Sequence, residues 1–163
     1  MTKNILLEKL KAATEEATGD IIMPVAAQKG DTEPPKPRAA EVYRARLPDS
    51  RSAKKKAPYI LHQIITGKDI QPSGEKSSSS TVVRSIFCVY SNDEQEGGLM
   101  LLNLMERLRI YLLEHIVLGK QFELDLEAGV ETLVYPDDTA PYYAGEMIST
   151  WSLPAVERKV NLW

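Results

Sequence analysis

The chain has 163 residues, 43% of them apolar and 26% charged, with a net charge of -3. That length suits one domain with a sizeable core and leaves little for a second. The mild charge excludes the strongly basic make-up of a general nucleic-acid binder, and no stretch nears the roughly 20 apolar residues that span a bilayer.

In the N-terminal segment, Glu8 and Lys9 interrupt the apolar run after Ile5, Leu6 and Leu7, which does not suit a signal peptide. Synthesis and residence in a cytoplasm are the expectation. Residues 4–17 carry Ile5, Leu6, Leu10, Ala13 and Ala17 at spacings of three and four, an amphipathic helix ended near Gly19. A short extended piece over 21–25, broken by Pro24, follows. From Ala26 to Arg38 three prolines fall within four residues, which excludes helix and central strand and predicts an exposed, partly disordered loop.

Residues 40–47 alternate in the manner of a half-exposed strand or extended arm, and Tyr59 to Thr66 reads as a second strand. Gly67 to Ser80, with Pro-Ser-Gly and four consecutive serines, reads as a solvated connection. Thr81 to Tyr90 is apolar on both faces apart from Arg84 and Ser85, the pattern of an interior strand. Its Cys88 is the single cysteine, so no internal disulfide forms and the residue reads as a small buried hydrophobe.

Ser91 and Glu94 are spaced as a capping box, with Asn92 an alternative cap, so a helix is predicted to start here. Leu101, Leu104, Met105, Leu108, Leu112 and Ile116 form its apolar surface, Asn103, Glu106, Arg107 and Glu114 a narrow polar side, and Gly119 with Lys120 its end. Strand-like runs follow at 122–126, 130–135 and 143–153. The order helix, strands, helix, strands predicts an α+β fold. It consists of a mixed, mainly antiparallel sheet with an N-terminal helix, one long central helix packed on it and a long Pro/Lys-rich loop. A single domain over 1–163 is expected, with 26–58 an extended loop or arm within it.

Charge is distributed unevenly. Between Lys36 and Lys56 eight basic residues face two acids, a local excess of +6, whereas from Gln121 onward eight acids face two bases, an excess of -6. The basic stretch (Lys36, Arg38, Arg44, Arg46, Arg51, Lys54, Lys55, Lys56) reads as a solvated loop, as an arm that docks on the acidic half of an identical neighbour, or as a contact for passing DNA. It has neither aromatic interleaving nor a recognition motif for specific nucleic-acid binding.

The chemistry-bearing patterns are sparse. His62 and His115 have no second ligand at metal spacing, and the phosphate-loop, nucleophile-elbow and zinc-protease motifs do not occur. Gly97-Gly98 follows Asp93 and Glu94 and adjoins Glu96, which repel an anion. Glu123, Asp125 and Glu127 alternate on a strand pattern and project to one face, which suits a solvated sheet face better than a cation or acid-base site. No catalytic, cofactor or metal residue is therefore assigned.

The run Val83-Arg-Ser-Ile-Phe-Cys-Val-Tyr-Ser-Asn-Asp-Glu-Gln-Glu-Gly-Gly carries a resemblance. It is joined by Leu102-Asn-Leu-Met-Glu-Arg-Leu-Arg-Ile-Tyr-Leu-Leu-Glu, Phe122-Glu-Leu-Asp-Leu-Glu and Tyr142-Tyr-Ala-Gly-Glu-Met-Ile-Ser-Thr-Trp-Ser-Leu-Pro. Together these resemble the tail terminator, or tail completion, proteins of Gram-positive phages, prophages and phage-tail-like bacteriocins, over roughly residues 57 to 160. The resemblance implies a non-enzymatic subunit made in the bacterial host cytoplasm. It implies a closed ring, commonly a homohexamer, that caps the tail tube, stops its polymerisation and offers the head-joining surface. The implied partners are further copies of itself, the tail tube protein, and sheath and neck or head-completion proteins, with no membrane. A head-completion or neck ring protein, or another minor tail protein, is the nearest alternative; a small enzyme or metal protein using the acidic strand row is the remote one. Ring contacts are expected from Arg44, Arg46, Arg51, Lys54, Lys55 and Lys56, from Arg107 and Arg109, and from Glu123, Asp125 and Glu127.

Overall fold

The structure is a computed structural model that describes residues 2–48, 53, 56–136 and 139–159. It is a mixed α/β fold of two helices and a curled, mostly antiparallel sheet. Helix α1 spans Thr2–Thr18 and turns Leu6, Leu7, Leu10 and Ala13 inward. Met23 and Arg38 then exchange backbone hydrogen bonds at 2.8 and 3.0 Å, pinning the two ends of the proline-rich segment, which takes no helix or strand of its own.

Strand β1 (Glu41–Arg44) pairs parallel with β2 (Tyr59–Ile70), which pairs antiparallel with β3 (Ser78–Tyr90). Helix α2 (Glu94–Glu114) follows, then β4 (Val117–Leu118), β5 (Phe122–Leu124), β6 (Glu131–Val134) and β7 (Tyr142–Leu153). β7 lies antiparallel to β3 along twelve residues of each and pairs on its other side with both β5 and β6. The order across the sheet is β1-β2-β3-β7-β5-β4, with β6 beside β7.

Alternation decides which face is dry. Val83, Phe87 and Val89 of β3, Ile60 of β2, and Met147 and Trp151 of β7 pack with Leu6 and Leu10 of α1 and Leu101, Leu104, Leu108 and Leu112 of α2. Full burial of a side chain of this size contributes about 1.5–3 kcal/mol, so this layer holds most of the stabilisation. The opposite face carries a smaller cluster, in which Leu47 and Ala57 cover Tyr59, Leu61 and Cys88, with Ile86, Tyr90, Tyr142 and Ala144 packed around them.

Three local expectations need correction. Gly67 to Ser80 is not a loop throughout: β2 runs on to Ile70 and β3 begins at Ser78, because Ser79 is buried and its Oγ donates to Asp69 Oδ1 at 2.5 Å. The cap of α2 is Asp93, whose carboxylate accepts from the backbone N–H groups of Gln95 and Glu96, not Ser91 or Asn92. Gly119 and Lys120 do not end the helix, which stops at Glu114. At φ of +58° and +60° they are the two central positions of the turn from Leu118 to Gln121, closed by the Gln121 N–H donating to the Leu118 carbonyl at 3.2 Å, within the three-residue connection from β4 to β5.

Candidate functional site

The sheet places the two charged regions of the chain at opposite ends of its strand order. β1 is one edge strand, and Arg44 at its end pairs with Glu8 of α1 at 3.3 Å. Ala45 adopts φ +66° and donates its N–H to the His62 carbonyl at 2.8 Å, which turns the chain and leaves Arg46 in solvent. Asn4, Leu7, Glu8, Arg44 and Ala45 line an open groove of about 320 Å³ there. Arg38 fastens the returning chain to this edge. Its Nη1 donates to the carbonyls of Ala39 and Pro58 at 3.0 and 2.9 Å, and its Nη2 to that of Lys56 at 2.9 Å. Lys56 is half-buried beside it, while Arg51, Lys54 and Lys55 lie outside the described residues.

On the far side of β7 Glu123 stands exposed on β5, which pairs with the two-residue edge strand β4, Glu127 follows in a turn, and Glu131 is exposed on β6. The expected acidic strand row is not formed, because β5 ends at Leu124. Asp125 is occupied by its own turn, its Oδ1 accepting from the N–H groups of Glu127 and Ala128 at 3.0 and 3.1 Å. Among the described residues no group of three His, Cys, Asp or Glu side chains is arranged to hold a metal ion.

From β1 to β5 the sheet takes four inter-strand steps, roughly 19 Å measured along its curve at about 4.8 Å each. Periodicity alone did not show that β1 and β5 stand on opposite sides of β3 and β7. That arrangement comes from long-range pairing.

The α2 residues have local partners instead. Arg107 pairs with Asp20 at 3.0 Å and Arg109 with Glu106 one turn back, both at the surface. Tyr111 donates to Glu16 at 2.8 Å, a hydrogen bond that holds its hydroxyl proton more firmly than usual. His115 stacks on the Tyr111 ring with centroids 4.2 Å apart.

His62, which the sequence places only in a strand, is fully buried between Thr14 of α1 and Ser85 of β3. Burial drives its pKa down to about 4, so it is neutral at ordinary pH. On the opposite sheet face Gln63 Oε1 accepts from Arg84 at 2.9 Å. Nearby, Tyr135 is held above its usual pKa by burial and then by Glu146. Burial likewise raises Tyr59, beside Cys88, and pushes Tyr43 up to about 12, where Glu41 accepts its hydroxyl proton. These groups tie strands together, and their side chains bond to one another rather than converging on an open cleft.

No protein-family model matches the chain, and no curated protein shows significant similarity to it. Among the described residues no helix is long and apolar enough to cross a membrane.

Proposed function

We propose that this chain is a non-enzymatic assembly subunit of the tail-terminator kind, closing into a homohexameric ring. The ring caps the end of a phage or phage-like tail tube and presents a surface for head joining. The observation that carries the reading is the separation of charge along one sheet, with Arg44 and Arg46 at the β1 edge and Glu123, Glu127 and Glu131 on and around β5 and β6, beyond β7 at the other end of the strand order. A contact between unlike surfaces of identical copies propagates head to tail and ends only when the rotation closes. Complementary charge sets its direction and suppresses contact of like edges.

The finer architecture belongs to the same reading. The chain acts as one domain over 1–163, with the long central helix as its scaffold; within 26–58, β1 and its anchors stay with the subunit and the exposed basic side chains around them reach the neighbour's acidic region. The other expected contacts are the tail tube protein, and sheath and neck or head-completion proteins. The residues of the acidic edge and Cys88 have no catalytic part. Light scattering of the purified protein is expected to give a ring mass, and electron microscopy of particles lacking it is expected to show tails of uncontrolled length. Normal-length tails without the protein would sink the proposal.

A further inference from the structure

Helix α2 is apolar on two sides. One side, centred on Leu101, Leu104, Leu108 and Leu112, is buried in the core. On the other, Leu99, Leu102, Ile110 and Leu113 are 53, 51, 41 and 37% exposed. At 100° per residue these four fall within one narrow stripe opposite the buried face, with Glu106 between them and Arg109 on its flank. A surface helix ordinarily fills that face with charge, yet here the large apolar side chains run about 21 Å along it. Val117, just past the helix end, is also exposed and apolar.

We infer that this stripe is a two-fold contact on which α2 of a second copy packs antiparallel. The order of residues along the stripe identifies the occupant. Reversing the helix over itself sets Leu102 against Leu113 of the second copy and Glu106 against its Arg109, with both pairs repeated by symmetry. Four leucines enclose a four-charge cluster of alternating sign, which the Glu106 and Arg109 pair within each helix already preorganises. A parallel pairing brings Glu106 against itself and Arg109 against itself, so like charge excludes it. A two-fold contact uses the same patch on both copies, which fits a stripe complementary to its own reverse.

The contact is separate from the charged sheet edges. It is one helix pair, below the 1,200 Å² or so typical of stable complexes, so association is reversible and in the micromolar range.

Sedimentation equilibrium of the full chain over a concentration series tests this. The wild type is expected to show a concentration-dependent doubling of mass, whether the starting unit is a monomer or an edge-formed ring. Leu102→Glu with Leu113→Glu, both exposed positions, is expected to abolish the doubling with the circular dichroism spectrum unchanged. Glu106→Arg alone makes the cluster wholly basic and Arg109→Glu alone makes it wholly acidic. Each variant is expected to lose self-association by at least about tenfold, and an equimolar mixture of the two to regain it. A wild type whose mass stays constant, an unchanged doubling in the leucine variant, or a mixture that fails to associate each overturns the inference. Reversal of Arg44 and Arg46 together to Glu breaks an edge-formed ring and leaves the α2 doubling intact, so failure of the ring reading is distinguished from failure of this one.

Discussion

The hydroxyl of Thr14 lies 2.8 Å from Nε2 of His62, and its own proton is already committed to the Leu10 carbonyl at 2.6 Å. Thr14 therefore accepts from His62, which places the imidazole proton on Nε2 and leaves Nδ1 to accept from the Ser85 hydroxyl at 2.7 Å. One neutral ring thus joins α1, β2 and β3.

Acid is expected to loosen this junction. His62 titrates near 4 in the folded chain against 6.5 when unfolded, so the unfolded state takes up the proton first as pH falls. Stability from this group is complete above about 6.5 and is lost between about 6.5 and 4, to a total of about 3 kcal/mol. Urea unfolding at pH 7 and pH 4.5 measures the difference, which His62→Phe should largely remove. An equal loss in that variant places the acid sensitivity elsewhere. Thr14→Ala leaves Nε2–H buried without its acceptor and should cost about 1–3 kcal/mol at pH 7.

Two glycines are expected to resist any side chain. A Cβ on Gly145 falls 2.8 Å from the Leu133 carbonyl oxygen and 2.9 Å from Met105 Sδ, pressing β6 away from β7 and α2 away from the sheet. A Cβ on Gly97 falls 2.2 Å from the Tyr143 ring, against which the first turn of α2 packs. Gly145→Ala should destabilise by about 1–3 kcal/mol. Gly97→Ala should cost less, since a ring shifts more readily than a paired strand. Gly98, with open space around its Cβ position, is the control, and Gly98→Ala should be neutral or stabilising. Thermal unfolding of the three variants ranks them.

Removing the cap of α2 separates two residues that look alike in the sequence. Asp93→Ala exposes the N–H groups of Gln95 and Glu96 and should cost about 0.5–2 kcal/mol. Ser91→Ala should cost less, because Ser91 Oγ bonds the backbone of Asp93 rather than the helix start. Equal losses would mean that Ser91 carries the cap.

That case shows which features local patterning makes legible. The helix start near 91–94, the inward face of α1, the strand at 143–153 and the buried Cys88 follow from spacing and capping chemistry, which act within a few residues. The continuation of β2 to Ile70 through Gly67, Lys68 and Asp69 does not, since nothing in that polar run favours a strand. Its partner Ser78 to Thr81 supplies the ladder. The same limit applied to the acids, where Asp125 is drawn into a turn that its alternation with Glu123 and Glu127 did not signal. His62 was legible as a strand residue only, because Thr14 and Ser85 lie 48 and 23 positions away in sequence.

The same long-range pairing yields the most demanding prediction, on the charged edges. A single exposed ion pair contributes only about 0.2–1 kcal/mol, so one reversal weakens a ring without dissolving it. Reversing Arg44 and Arg46 to Glu makes both edges of a subunit acidic, and reversing Glu123 and Glu127 to Lys makes both basic. Each variant alone should fail to form rings, and raised salt should weaken the wild-type ring by screening. In a mixture every acidic edge meets a basic edge only if the two variants alternate, and alternation closes only for an even number of subunits. A hexamer is therefore expected to be rescued by mixing, with three copies of each variant per ring in native mass spectrometry. If the mixture stays dissociated while both variants remain folded, the sheet edges are not the contact.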